Sequence, residues 1–260
     1  MNYGFHPFHI VSISPWPILC SFSIMSFVIN SLYYMNKFLT LDLLLESLLS
    51  LILVIFCWWR DVIRESTFQG FHMKKVCFGL YMGVSMFIIS EVMFFFSFFF
   101  GYFFSSLVPD VEIGCSWPPV GVQSLSFMDV PLLNTMILLS SGISITWSHH
   151  SLLENNFTNC LLGMIFTVIL GLIFTFFQFM EYLECSFSMA DSVYGSLFYI
   201  STGFHGIHVI VGTLFIIVSF IRMMKYHFSI HHHLGFEFSI WYWHFVDVVW
   251  LFLFLSVYYL

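Results

Sequence analysis

Seven apolar runs, each long enough to cross a hydrocarbon core as a helix, take up most of this chain and leave only short connections between them. Backbone in lipid must satisfy its own hydrogen bonds, so such runs read as helices and not as open strands. They fall near 14–36, 39–59, 76–107, 131–147, 158–179, 193–221 and 234–259. At about 1.5 Å rise per residue the third exceeds a bilayer's thickness and must tilt or protrude. Residues that are 60% hydrophobic and 8% charged cannot cover a water-facing globule of this size. The expected fold class is therefore an all-α integral membrane protein with seven transmembrane helices. A net charge of −7 provides no basic field and excludes nucleic acid as a partner.

Charge placement sets the expected orientation. With seven spans, Arg60, Arg64, Lys74, Lys75, Arg222 and Lys225 share the side of the amino terminus, and only Lys37 lies opposite. The other side carries Asp110, Glu112, Asp129, Glu181, Glu184 and Asp191, so the positive-inside rule puts the amino terminus in the inner compartment and the carboxyl terminus outside. The charged stretch 60–75 reads as the longest inner loop and as the seam between a two-helix part, 1–72, and a five-helix part, 73–260, of a single membrane domain. The first residues lack the pattern of a cleaved signal, so insertion is expected to rely on the helices themselves. Six scattered cysteines without a Cys-x-x-Cys predict neither a disulfide framework nor a thiolate metal site. Thirty-six phenylalanines against a single alanine, Ala190, point to a thymine-rich organellar coding sequence, because alanine is the best helix former and physics would not remove it. Most of the phenylalanine would then be filler.

Ionisable groups inside such spans are costly and normally face protein or a polar cavity. Glu91 stands at the middle of the third run with no other charge between Lys75 and Asp110. It reads either as a protonated carboxyl that fixes packing or as a proton-relay or lipid-gating group, with His208 as first partner and His205 as second. Gly203-Phe204-His205-Gly206-Ile207-His208 puts two imidazoles on one helix face, with glycines expected to admit a neighbouring helix; interhelical hydrogen bonding outweighs metal binding for this pair. His244 and Asp247, one turn apart in the last run, form a further polar pair. Gly79 and Gly83 give a small-xxx-small match, a weak indication of helix contact.

A rival enzyme class starts from His227, His231, His232 and His233, whose spacing is similar to the histidine boxes of membrane di-iron desaturases, with His149-His150 and His6-Pro7-Phe8-His9 as further boxes. A solvated turn is the commoner meaning, and neither cysteine nor carboxylate reinforces the set, so no metal site is expected. At the inner interface Arg64, Arg222, Lys225 and His227 read as an anionic phospholipid clamp or as ordinary anchoring, and Trp58 and Trp59 fit an aromatic belt. No phosphate loop, dinucleotide fingerprint or Ser-His-Asp arrangement is present.

Long blocks then carry a resemblance. Trp58-Trp59-Arg60-Asp61-Val62-Ile63-Arg64-Glu65, Ser90-Glu91-Val92-Met93-Phe94-Phe95, Trp117-Pro118-Pro119, Thr146-Trp147-Ser148-His149-His150, Thr202-Gly203-Phe204-His205-Gly206-Ile207-His208-Val209 and nearly all of 236–259 closely resemble subunit III of cytochrome c oxidase. His6-Pro7-Phe8-His9, Trp16-Pro17, 131–135, 140–142 and 191–196 extend the match in order along the chain. The resemblance implies two helix groups, 1–2 and 3–7, separated by a lipid-filled cleft. It implies no cofactor bound by this chain: haem and copper would belong to neighbouring subunits, the haem-copper catalytic subunit I and the copper-bearing subunit II. It further implies structural phospholipids (cardiolipin, phosphatidylglycerol or phosphatidylethanolamine), a non-catalytic role supporting proton uptake and sustained turnover, and a mitochondrial inner membrane address with the amino terminus in the matrix. Glu91 would be the family's membrane-embedded glutamate, with His208 near it, and Arg64, Arg222 and His227 would line head-group positions. The sequence departs from the pattern at Phe104, where histidine is usual, at Ser12, where aspartate is common, and at Leu260, where the chain lacks the usual tryptophan-glycine.

Overall fold

The computed structural model describes residues 8–38 and 40–259. Among them there is no strand, and seven helices are long and apolar enough to cross a membrane. These are α1 (Trp16–Met35), α2 (Leu41–Thr67), α3 (Lys74–Leu107), α4 (Val130–Leu153), α5 (Phe157–Glu184), α6 (Val193–Met224) and α7 (Leu234–Leu253), the last continued by a π-helical turn, Phe254–Tyr259. His6 and Pro7 lie outside the described residues.

Their ends follow local chemistry. Proline in the first turn opens α1 and α4, where a missing N–H costs nothing. Asn156 and Ser192 cap α5 and α6 by accepting the backbone N–H groups of Asn159 and Gly195. The main departure from expectation is at α2, which continues eight residues past Trp59 through the charged stretch read as a loop. Apolar spacing ends there but helix does not, and the Asp61–Arg64 pair, one turn apart at 3.6 Å, supports the extension. The connection to α3 shrinks to 68–73. The interval 108–129 is irregular apart from one 3-10 turn, Val111–Ile113.

The chain forms two compact units that divide inside α3, between Met82 and Gly83. In the first, α1 and α2 are pinned near both ends: the Trp16 indole donates to Asp61 Oδ2 at 2.7 Å, and Asn30 donates to the Leu43 carbonyl at 3.3 Å. His9 bonds Glu65 at 3.2 Å and stacks on Phe71.

In the second unit α7 is the most buried span and packs on α4 and α6, with α5 between them. Trp243 of α7 is fully buried and donates to Ser141 Oγ of α4 at 2.9 Å. Its ring lies where a Cβ on Gly171 of α5 or Gly212 of α6 would stand 2.8 and 2.9 Å away, so three helices close on one indole. Serines seal α4 against α5: Ser148 donates to the Cys160 carbonyl at 2.7 Å, and Ser144 shares a hydrogen bond with Thr167 at 2.8 Å. Small residues with satisfied hydroxyls replace the hydrophobic effect where the surrounding solvent is itself apolar. The glycines singled out beforehand are not these. Positions 79, 83, 203 and 206 have open space around an added Cβ, so neither pattern marks a close helix contact within its unit. Small size permits an approach, but only the facing surface decides where one occurs.

Candidate functional site

Glu91 and His208 meet. Glu91 Oε2 lies 3.0 Å from His208 Nε2, with the two side chains 22% and 12% exposed, so the pair is largely shielded yet open along one edge. His208 Nδ1 is 2.6 Å from the Phe204 carbonyl one turn back, and only an N–H can face that oxygen. The second ring nitrogen therefore faces the carboxyl of Glu91 at hydrogen-bond distance. Phe95, Tyr242 and Phe245 wall the imidazole at ring-centre distances of 5.1, 6.2 and 6.1 Å. Around the pair α3 meets α6 through large rings, Phe94 and Phe98 on Phe204, with centres 5.1 and 5.7 Å apart. Those rings hold the backbones apart and leave room for the polar side chains.

His205 is not part of this pair. Although it lies on the same helix three residues earlier, it is buried and its Nε2–H donates to the Val246 carbonyl of α7 at 3.2 Å, its ring against Phe174 and Trp250. It is an interhelical tie. His244 and Asp247 approach at 3.7 Å, the imidazole 40% and the carboxylate 8% exposed. Asp247 Oδ2 occupies the notch left by Gly142 of α4, where a Cβ would stand 2.7 Å from it.

The residues read as a lipid clamp fall in both units. Trp58 and Arg64 line a cavity of about 290 Å³ in the first unit together with Ser12, Trp16, Asp61 and Glu65, while Trp59 is exposed. In the second, Arg222 lies over the Phe228 ring at 4.4 Å and against Gly235, Lys225 is exposed, and His227 is half-buried. Burial first, then the charges of Arg222 and Lys225, push the His227 imidazole below its ordinary value. At neutral pH it is therefore a neutral ring.

Of the histidine boxes, one member each from two, His149 and His233, come together. His150 pairs with Glu154 at 3.0 Å, His9 belongs to the first unit, and among the described residues a single triad gathers, His149, His233 and Glu237. Contrary to expectation, a carboxylate does reinforce the set: Glu237 follows His233 by one helical turn and lies 3.3 Å from its Nε2. A second correction concerns Glu181. Counted as an outer-loop charge, it is a buried residue of α5 that accepts the Tyr258 hydroxyl at 2.7 Å, because α5 runs five residues beyond its expected end.

Seven long apolar helices enclosing a carboxyl-imidazole pair, with no strand among the described residues, define a polytopic all-α membrane protein. A family model described as "Cytochrome c oxidase subunit III" matches residues 6–260. Proteins named cytochrome c oxidase subunit 3 are 52% identical in Prototheca wickerhamii, over 98% of this chain and 97% of that protein, and 49% in Anopheles gambiae, over 97% and 96%. The protein of that name from Equus asinus is 51% identical over 99% of this chain and 98% of its own length. The chain belongs to the cytochrome c oxidase subunit III family.

Proposed function

We propose that this chain, by its family a core subunit of the cytochrome c oxidase complex, serves that mitochondrial inner-membrane oxidoreductase without a redox centre of its own. The reading assigns haem and copper to neighbouring subunits, the catalytic subunit I and the copper-bearing subunit II, and gives this chain three tasks: bracing the catalytic subunit, sustaining its proton uptake, and holding phospholipid. In this reading helices 1–2 and 3–7 flank a lipid-filled cleft, and the amino terminus lies in the matrix, as the lysine and arginine count favours.

One observation carries the supportive role beyond scaffolding: the Glu91–His208 pair, a carboxyl and an imidazole 3.0 Å apart in the apolar span. Glu91→Gln keeps shape and can still donate to His208, but cannot exchange a proton. The variant oxidase is expected to assemble and to start at normal rate, then to lose activity severalfold faster during continuous oxygen consumption. An unchanged decay curve, with unchanged lipid content, would reduce Glu91 to a packing group.

The lipid task rests on Arg222, Lys225 and His227 at one end of α6 and on Trp58, Trp59 and Arg64 at the charged end of α2. Each basic group near an anionic surface contributes about 1 kcal/mol. Arg222→Gln with Lys225→Gln is therefore expected to release anionic phospholipid from the purified complex, read by native mass spectrometry. Full retention would leave these residues as ordinary anchors.

A further inference from the structure

We propose that His149, His233 and Glu237 form a binding site for one divalent cation of the zinc type, where α4 ends and α7 begins. His149 Nε2 and His233 Nε2 are 3.3 Å apart, His233 Nε2 and Glu237 Oε1 are 3.3 Å apart, and the three donor atoms all lie within 4.8 Å of one another. Zinc bonds of about 2.0–2.1 Å in tetrahedral geometry separate neighbouring ligand atoms by about 3.3–3.4 Å. Both of these edges already have that length.

The imidazole of His233 is also held in the orientation a ligand needs. Its Nδ1–H donates to the Ser229 carbonyl at 3.0 Å, so Nε2 turns its lone pair into the cluster. That lone pair faces a second imidazole nitrogen and a carboxylate oxygen. A divalent cation placed among the three donor atoms would be bound by all of them at once. The local sequence produces the arrangement directly. His233 precedes α7 and Glu237 lies in its first turn, so i, i+4 spacing puts both on one face, and His149 comes from the closing turns of α4.

Two imidazoles and one carboxylate, without thiolate, select a borderline divalent ion over calcium or magnesium and over copper(I). Three protein ligands leave a fourth position for water. The Arg222 guanidinium, against Gly235 in the same turn, opposes the ion's charge, and the carboxylate of Glu237 offsets it. Such an ion brings no redox chemistry, so the site departs from the expectation of no metal while leaving the oxidase role untouched. Its effect is mechanical, tying α4 to the start of α7 across the turn at 225–233.

The test uses the intact oxidase carrying this subunit, treated with EDTA, equilibrated with zinc chloride and gel-filtered, with total zinc counted against haem iron by mass spectrometry. Wild type is expected to hold one equivalent more than Glu237→Gln and than His149→Gln, whereas His150→Gln keeps the wild-type count. Equal zinc in wild type and both ligand variants overturns the site, as does an equal loss in His150→Gln. A second measurement needs no variant: added zinc is expected to slow carbethoxylation of His149 but not of His150, and identical rates with and without zinc overturn the proposal. An unchanged haem spectrum and subunit content distinguish loss of this site from failure of the supportive role.

Discussion

Gly171→Val is expected to remove this subunit from the assembled oxidase. A Cβ at that position alone would come 2.5 Å from Thr213 Cγ2 and 2.8 Å from the Trp243 ring, and valine adds two methyl groups to the collision. Overpacking of a well-filled core typically costs about 1–3 kcal/mol when neighbours can shift. Here they cannot shift freely, because Trp243 is wedged against Gly212 on its other side and tethered to Ser141. The complementary change, Trp243→Ala, empties the same centre and is expected to cost about 3–5 kcal/mol. Trp243→Phe, which keeps most of the ring but loses the indole N–H, should cost clearly less. The measurement is the amount of this subunit per haem in purified complex, followed by the temperature at which it dissociates. Wild-type content and midpoint in both Gly171→Val and Trp243→Ala would show that the indole is not the keystone of α4, α5, α6 and α7.

The second large effect is expected at Tyr258. Its hydroxyl donates to Glu181 Oε1 at 2.7 Å in a region where both residues are buried. Leaving a buried acceptor without its donor costs about 1–3 kcal/mol, more for a group that can ionise, whereas removing both partners together can be nearly neutral. Tyr258→Phe should therefore lower the dissociation midpoint substantially, and adding Glu181→Leu should restore much of the loss. The double variant behaving as the sum of two independent losses would mean that the contact contributes nothing as a pair. The prediction also explains a local feature of the chain end. The π-helical turn Phe254–Tyr259 brings the Tyr258 hydroxyl onto α5, five residues beyond the end of regular α7.

Particular residues show how far the sequence reached. The seven spans were legible because a bilayer needs long apolar runs, and every expected span is a helix. Glu91 could be picked out because a charge at mid-span is rare enough to stand alone, and His208 was the first partner named for it. Boundaries were less legible. Apolarity stops at Trp59 and near Phe179, but backbone hydrogen bonding does not, so hydropathy alone does not reveal that the charged end of α2 and Glu181 of α5 are helical. Phenylalanine read as filler, yet Phe94, Phe95 and Phe98 build the wall and spacing of the acid-imidazole site. Glu237 was overlooked for a different reason. Its helical spacing from His233 is plain in the sequence, but its value as a third ligand depends on His149, eighty-four residues before His233.

The sequence by itself determined the solvent, the class of fold and the family, because hydropathy and long ordered motifs are properties of the chain read in line. Only the tertiary structure decided which imidazole meets Glu91, which glycines admit a neighbour, and which histidines converge. Two histidines three residues apart share a helix face, yet His208 reaches α3 while His205 reaches α7, since each side chain's partner is set by the surface opposite it. That surface comes from distant segments, and no local pattern encodes it.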